Sequence, residues 1–272
     1  MTFPKPRKPK RRMTIEVEGR EIGYKRFFFP DGQPHIALDE EIRDQAVLVT
    51  ISITSANSLF ELLLVKEILD RGYNEVELDI LYLMGSRMDR PIDEKQPFTL
   101  KVVTEILMGA GFEAITVLDP HSEVSLQLLN ATLSYPFWEV EDLVESYSEH
   151  EIAIVVPDDG AVERVSRIVA GFKKPYPLIY CHKHRDSQTG KLSSFSIDDS
   201  VRAQGKLCFI IDDICDGGGT FSALATMLKQ AGATKVVLFV THGIFSKGME
   251  IPDVDEVHTT DSYGPEPMEP PG

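Results

Sequence analysis

The sequence predicts an α/β protein built as two tandem halves, each a mainly parallel sheet flanked by helices. Three observations predict it. Short apolar runs alternate with amphipathic stretches along most of the chain, the pattern of repeated strand–helix–strand units. The alternation pauses near "SYPFWEVEDLVESYSEHE" and then resumes, which divides the 272 residues into about 1–146 and 147–272. Polar residues concentrate where the predicted strands end, and at that edge of a parallel sheet ligands bind.

In the first half, "QAVLVTISI" (45–53) is a near-continuous apolar run, as a strand buried on both faces requires. Ser58 to Asp70 reads as a helix with Leu59, Leu62, Leu63, Ile68 and Leu69 in its apolar face. "EVELDILYL" (75–83) is the next strand, followed by the polar loop "MGSRMDRPIDEKQP", a helix from about Phe98 to Gly109, and a third strand, "AITVLD" (114–119). The second half repeats the plan. "EIAIVVPDD" (151–159) is a strand, Ala161 to Ala170 a helix and "YPLIYC" a strand. "HKHRDSQTGKLSS" reads as a polar loop, "KLCFIID" as a strand, about Thr220 to Ala231 as a helix and "KVVLFVT" (235–241) as the last strand.

A hydrophobic content of 42% with 26% charged residues is that of an ordinary soluble protein. The chain contains no run approaching the roughly 20 apolar residues of a membrane span. Its basic start is not followed by the apolar core of a secretion signal, so a cytoplasmic location is expected. A net charge of −15 argues against a nucleic-acid-binding surface. Six of the positive charges, Lys5, Arg7, Lys8, Lys10, Arg11 and Arg12, lie in an arm at 1–12, and the remaining chain carries −21. The arm reads as a solvated tail, or as a contact for a phosphate or an acidic neighbouring subunit. The Pro/Glu-rich end "YGPEPMEPPG" is expected to lack structure. Cys181, Cys208 and Cys215 have no metal-ligand spacing and read as buried free thiols.

The most informative stretch is "LCFIIDDICDGGGTFSAL", residues 207–224. Asp212 and Asp213 end an apolar run, Asp216 follows, and Gly217, Gly218 and Gly219 lead through Thr220 into a helical pattern. A glycine-rich turn opening a helix offers backbone N–H groups and a favourable dipole to an anion. Ionised carboxylates are acceptors only, so they call for a different partner, such as the vicinal hydroxyls of a ribose. A sugar phosphate satisfies both ends. The loop lacks the Gly-Lys-Ser/Thr ending of a Walker A sequence and the spacing of a dinucleotide fingerprint; a plain tight turn is the competing reading.

"FIIDDICDGGGT" resembles the ribose-phosphate-binding loop of type I phosphoribosyltransferases, in the variant carried by ribose-phosphate pyrophosphokinases, the PRPP synthetases. The resemblance extends in order along most of the chain. "RFFFPDGQPHIAL" is similar to that family's Phe-Ser-Asp-Gly-Glu segment, "RMDR" to its Ala-Arg-Gln-Asp-Arg loop and "VLDPHSE" to its Val-Asp-Leu-His stretch. Further on, "VVPDDGAVERV" is similar to Pro-Asp-x-Gly-Gly, "KHR" to Lys-Arg-Arg and "VTHGIFSKG" to Ala-Thr-His-x-x-Phe-Ser.

The resemblance implies two tandem phosphoribosyltransferase-like domains and transfer of a diphosphate from ATP to the anomeric hydroxyl of ribose 5-phosphate, with Mg2+ and release of AMP. It implies that Lys183 and Arg185 are the catalytic basic pair and that His121 and Asp158 hold the magnesium, with Asp119 in support. Asp212, Asp213, Asp216, Gly217, Gly218, Gly219 and Thr220 would bind the acceptor. Arg87 and Arg90 would contact the nucleotide phosphates. Phe29, Asp31 and Gln33 would grip adenine from a neighbouring subunit, so the enzyme would be a homo-oligomer.

Several positions depart from the family pattern. Gly217 stands where a threonine usually helps bind the 5-phosphate, Met88 where glutamine is usual, Gln33 where glutamate is usual, and His184 at the middle arginine. The chain is also shorter, with a rebuilt N-terminal segment. Gly217 opens space beside the phosphate, which makes ADP-ribose an alternative acceptor and a place in NAD metabolism an alternative role, since shortened relatives of this kind are associated with it. A catalytically silent regulatory subunit is a third reading.

Overall fold

The computed structural model describes residues 13–185, 192–198 and 200–264; side chains at 184, 185 and 192–195 are not described. The arm at 1–12 and the end of the chain lie outside the described residues. Backbone contacts divide the chain into two compact units, one ending at Ser134 and including the return at 261–264, the other Tyr135–Thr260.

The first unit opens with β1 (Met13–Val17), β2 (Arg20–Glu21), β3 (Tyr24–Phe28) and β4 (Pro34–Leu38). It continues with β5 (Ala46–Ile53), α1 (Ala56–Arg71), β6 (Glu75–Leu83), α2 (Thr99–Gly109), β7 (Ala114–Leu118), α3 (Glu123–Leu129) and β8 (Thr132–Ser134). Its sheet runs β2-β1-β5-β6-β7-β8, parallel from β5 to β8 with β1 added antiparallel to β5. Val47, Val49, Ile51 and Ile53 of β5 pack with Leu62, Val65 and Leu69 of α1 in one core. α1 starts where Ser55 and Ser58 cap each other reciprocally, each hydroxyl accepting from the other's backbone N–H at 3.2 and 2.9 Å.

The second unit contains α4 (Phe137–Glu145), β9 (Ile152–Val156), α5 (Val162–Ala170), β10 (Leu178–Arg185), β11 (Leu192–Ile197), β12 (Leu207–Cys215), α6 (Gly219–Gln230), β13 (Lys235–Gly243) and β14 (Glu256–Thr259). Its sheet runs β11-β10-β9-β12-β13-β14, parallel except for the edge pair β10–β11. Leu207, Phe209 and Ile211 pack with Val140, Val144, Val165 and Ile168 of α4 and α5, whereas Cys208 and Ile210 pack with Phe221, Leu224 and Leu228 of α6. That alternation covers both faces and explains the unbroken apolar run. The helix α4 precedes the break expected at 146/147, yet its Val140 and Val144 are buried in this second core. The expected α/β class holds in both units.

Two elements differ from expectation in ways that bear on the site. The segment read as a polar loop, "HKHRDSQTGKLSS", instead continues β10 through Arg185 and supplies β11, with Lys183 opposite Phe195. A hairpin at a sheet edge has no need of an apolar run, so composition hides it. The strand read as ending at Asp212 continues to Cys215, because pairing with β13 persists through Ile214 opposite His242 and Cys215 opposite Gly243. Both acids therefore sit in a strand.

Away from the site, Glu256 accepts from the Tyr147 hydroxyl and the Lys235 ammonium, with His258 Nε2 at 3.3 Å. Burial works to raise this carboxyl, but hydrogen bonds from Lys235, Tyr147 and His258 outweigh it and hold the group at about 2 instead of 4.5. A lowered carboxylate stabilises the fold above its unfolded value and loses that contribution as pH falls through the folded one. Glu256→Gln is expected to destabilise by under about 1 kcal/mol, since the carboxylate is half-exposed. Urea unfolding at a series of pH values should show the gap to wild type narrowing as pH falls from 4.5 toward about 2; a gap independent of pH would refute the assignment.

Candidate functional site

The second unit concentrates charge at the carboxyl ends of β9, β10 and β12. Asp158 follows β9 and caps the next turn, Oδ1 accepting from Ala161 N–H at 3.2 Å. Its Oδ2 receives the Lys183 ammonium at 3.1 Å from neighbouring β10. The adjacent pair behaves alike: His182 Nδ1 lies 2.7 Å from Asp159 Oδ1 and its Nε2 3.0 Å from Asp198 Oδ2. Hydrogen bonds with Asp198 and then Asp159 raise the affinity of this imidazole for a proton. The two acids of "PDD" thus hold the two neighbouring side chains of "HK", Asp159 the imidazole and Asp158 the ammonium. Arg185 ends β10, and its side chain lies outside the described residues.

On β12, Asp213 is buried and Asp212 largely so. Arg164 of α5 reaches both, with Nη1 3.4 Å from Asp212 Oδ1 and 3.5 Å from Asp213 Oδ1. The backbone N–H of Asp213 also donates to Asp212 Oδ1, at 2.9 Å. Burial, and then the neighbouring charge of Asp213, push the Asp212 carboxyl well above the usual carboxylate range, while Arg164 pulls the other way. The two acids expected to act alike therefore differ: Asp212 keeps an accessible edge and Asp213 is enclosed.

Beyond β12 the loop turns into α6. Gly218 is the N-cap at φ 72°, a left-handed conformation that glycine adopts without strain, and no side chain caps the helix. A β-carbon on Gly218 would also meet Ile251 at 3.0 Å. Asp216 accepts from the Ser246 hydroxyl. Gly219 and Thr220 form the first turn of α6. This arrangement leaves the first backbone N–H groups of a 12-residue helix for an anion. The flank of Gly217 is occupied by the Lys247 chain, 3.5 Å from where a β-carbon would stand.

In the first unit, Phe29, Asp31 and Gln33 lie at the turn of the β3–β4 hairpin, closed by Phe29 N–H to Gln33 O at 2.9 Å and Gly32 N–H to Phe29 O at 2.8 Å. Gln33 N–H also donates to Asp31 Oδ1 at 3.2 Å. Phe29 is 47% exposed and Phe27 43%, and both rings lie within 5.5 Å of each other and of His35. Such open aromatic faces suit stacking on a base. Arg87 and Arg90 are exposed in the turn after β6. His121 is exposed after β7, while Asp119 is fully buried in a left-handed conformation at φ 38°.

Sequence reasoning places His182 in a polar cluster at a strand end without giving it a role, and it misses Arg164. A signal for Arg164 was present: helical spacing puts it beside Val165 and four residues before Ile168, on the buried face of α5. The three cysteines are free and buried, and burial raises Cys181 to about 12 and Cys208 and Cys215 to about 11. Among the described residues no helix is long and apolar enough to cross a membrane.

Residues 139–261 match the phosphoribosyl transferase domain family. The chain is 30% identical to the ribose-phosphate pyrophosphokinase of Sulfurisphaera tokodaii over 222 residues, which is 80% of this chain and 75% of that protein. It is 30% identical to the ribose-phosphate pyrophosphokinase of Hyphomonas neptunium over 247 residues, 87% of this chain and 78% of that protein. Among solved structures, the phosphoribosylpyrophosphate synthetase of Mycobacterium smegmatis shares the fold, with a TM-score of 0.70 at 22% identity over 84% of this chain and 75% of that one.

Proposed function

The chain belongs to the ribose-phosphate pyrophosphokinase family, a family of diphosphotransferases, and we propose that it transfers a diphosphate from ATP to the anomeric hydroxyl of a 5-phosphorylated ribose, releasing AMP. The observation that carries the reading is the pairing of Lys183 with Asp158 in the same unit as the Asp212–Thr220 loop. Catalytic cations and acceptor loop then belong to one sheet edge. Ribose 5-phosphate is the default acceptor, its phosphate on the uncapped N-terminus of α6 and its hydroxyls donating to Asp212. Lys183, with Arg185, stabilises charge developing on the transferred phosphoryl oxygens.

Phe29, Asp31 and Gln33 grip adenine, and Arg87 and Arg90 contact the nucleotide phosphates. The exposed hairpin suits delivery to a neighbouring copy, which makes the working enzyme a homo-oligomer. Asp158 fits the hard-cation requirement in kind, since magnesium takes one or two carboxylates and completes its shell with phosphate oxygens and water, whereas His121, the other ligand that the resemblance implies, offers a nitrogen. Bound at Asp158 with ATP, Mg2+ would supply charge neutralisation of the polyphosphate.

A second acceptor is favoured by one observation. Gly217 presents no side chain to the phosphate end of the loop, and the group beside it is the flexible Lys247. A ribose with a larger 5-substituent, such as ADP-ribose, then fits the same chemistry and would yield its 1-diphosphate, a product suited to NAD metabolism. An assay of AMP release with each acceptor separates these. Release that requires a ribose acceptor supports the proposal, and no release with either acceptor overturns it in favour of a silent subunit. A strong kcat/KM preference for ribose 5-phosphate would sink the ADP-ribose reading alone.

A further inference from the structure

We infer that Arg164 is a positioning residue for the acceptor: its guanidinium clamps Asp212 and Asp213 together and turns Asp212 so that one oxygen faces the protein and the other faces the ligand. The inference rests on the reading of the Asp212–Thr220 loop as the acceptor site, and it assigns a role to a residue of α5 outside that loop.

Two adjacent carboxylates at the end of a central strand repel, and enclosing them is costly unless a cation accompanies them. Arg164 is the cation that lies within 3.5 Å of both, and its own side chain is 9% exposed. Asp212 Oδ1 is committed to this guanidinium and to the Asp213 N–H at 2.9 Å. The Asp212 side chain keeps 14% of its surface exposed against 5% for Asp213, which leaves its open edge as the acceptor for an incoming hydroxyl. Both contacts run through one nitrogen, Nη1, and arginine suits the task better than lysine because the planar guanidinium fixes its donors in place where an ammonium turns on a flexible stem. The other charged groups nearby are spoken for: Lys183 is held by Asp158, and His182 by Asp159 and Asp198. Helix α5 is held in turn by Val165 and Ile168 in the core, so the guanidinium is carried on a rigid element.

A positioning role predicts a loss confined to one substrate. Arg164→Met is expected to raise KM for the acceptor by roughly five- to tenfold, the size of one charge-assisted hydrogen bond misplaced. KM for ATP should stay within about twofold, and Arg164→Lys should recover part of the loss. A folded Arg164→Met enzyme with an unchanged acceptor KM would overturn the inference, as would equal increases for both substrates. If Arg164→Met does not fold, the charge-balanced Arg164→Met/Asp213→Asn variant is compared with Asp213→Asn alone. A higher acceptor KM in the double variant supports the role of Arg164, and equality overturns it. Asp212→Asn tests the underlying reading separately, since an unaltered acceptor KM there would mean that the loop does not bind the acceptor at all.

Discussion

Lys183→Ala is expected to lower kcat by about 10²–10³-fold, the cost of removing one preorganised group that stabilises transition-state charge, while the folded state survives almost unchanged. The asymmetry follows from the surroundings of the side chain. Its ammonium contacts Asp158 at 3.1 Å, but both side chains are a fifth to a quarter exposed, and a solvent-accessible pair contributes little to stability. Asp158 keeps the Ala161 N–H when the lysine is gone, so its carboxylate is not left without a donor. Strand β10 is held by its backbone ladder to β9 and by the buried Ile179 and Cys181, not by Lys183. Stopped assays of AMP release, with thermal unfolding in parallel, check both halves of the expectation. Lys183→Arg should restore only part of the rate, because the guanidinium is planar and longer in reach. A rate reduced by less than about fivefold, or a loss of activity matched by a loss of Tm, would remove Lys183 from the chemistry.

The parts of this molecule that were legible in the sequence are those where one local pattern decides the outcome. β5, β6 and β12 are continuous or alternating apolar runs, and α1 and α5 carry a helical apolar stripe, so their existence follows from burial alone. The glycines before α6 mark a turn because Gly218 needs a positive φ. The elements that escaped depend on a distant partner. β1 extends a sheet by pairing with β5 and β2 by pairing with β1, and β11 exists through its pairing with β10. The same holds for the site. Asp212, Asp213 and the glycines are contiguous and could be read as a unit, but the clamp on them comes from Arg164, 48 positions from Asp212. The His182–Asp159–Asp198 arrangement likewise joins three elements that spacing does not connect. The burial difference between neighbouring Asp212 and Asp213 is a property of the packed sheet edge, and no residue-type argument contains it.

Gly217→Thr is expected to shift the ratio of kcat/KM for ribose 5-phosphate over ADP-ribose by roughly tenfold to a hundredfold toward ribose 5-phosphate, the range available to a site that gains a hydrogen bond to one substrate and a clash with another. The loop can accept the change. Among its three glycines only Gly218 has a positive φ, so Gly217 lies in a conformation open to any residue. A β-carbon there would meet Lys247 Cδ and Cε at 3.5 Å and Nζ at 3.8 Å, ordinary contacts with a flexible chain. The threonine hydroxyl would then donate to a terminal phosphate, while its methyl fills the space that a substituent beyond the phosphate would need. Gly217→Ala separates the two effects, because alanine adds bulk without a donor. If space is the determinant, alanine lowers activity with ADP-ribose nearly as much as threonine does. If the hydrogen bond is the determinant, only threonine raises activity with ribose 5-phosphate. Should both variants leave the ratio as it is in the parent, acceptor choice does not reside at residue 217, and Lys247 becomes the next position to vary, since its ammonium is the charge nearest that face of the loop.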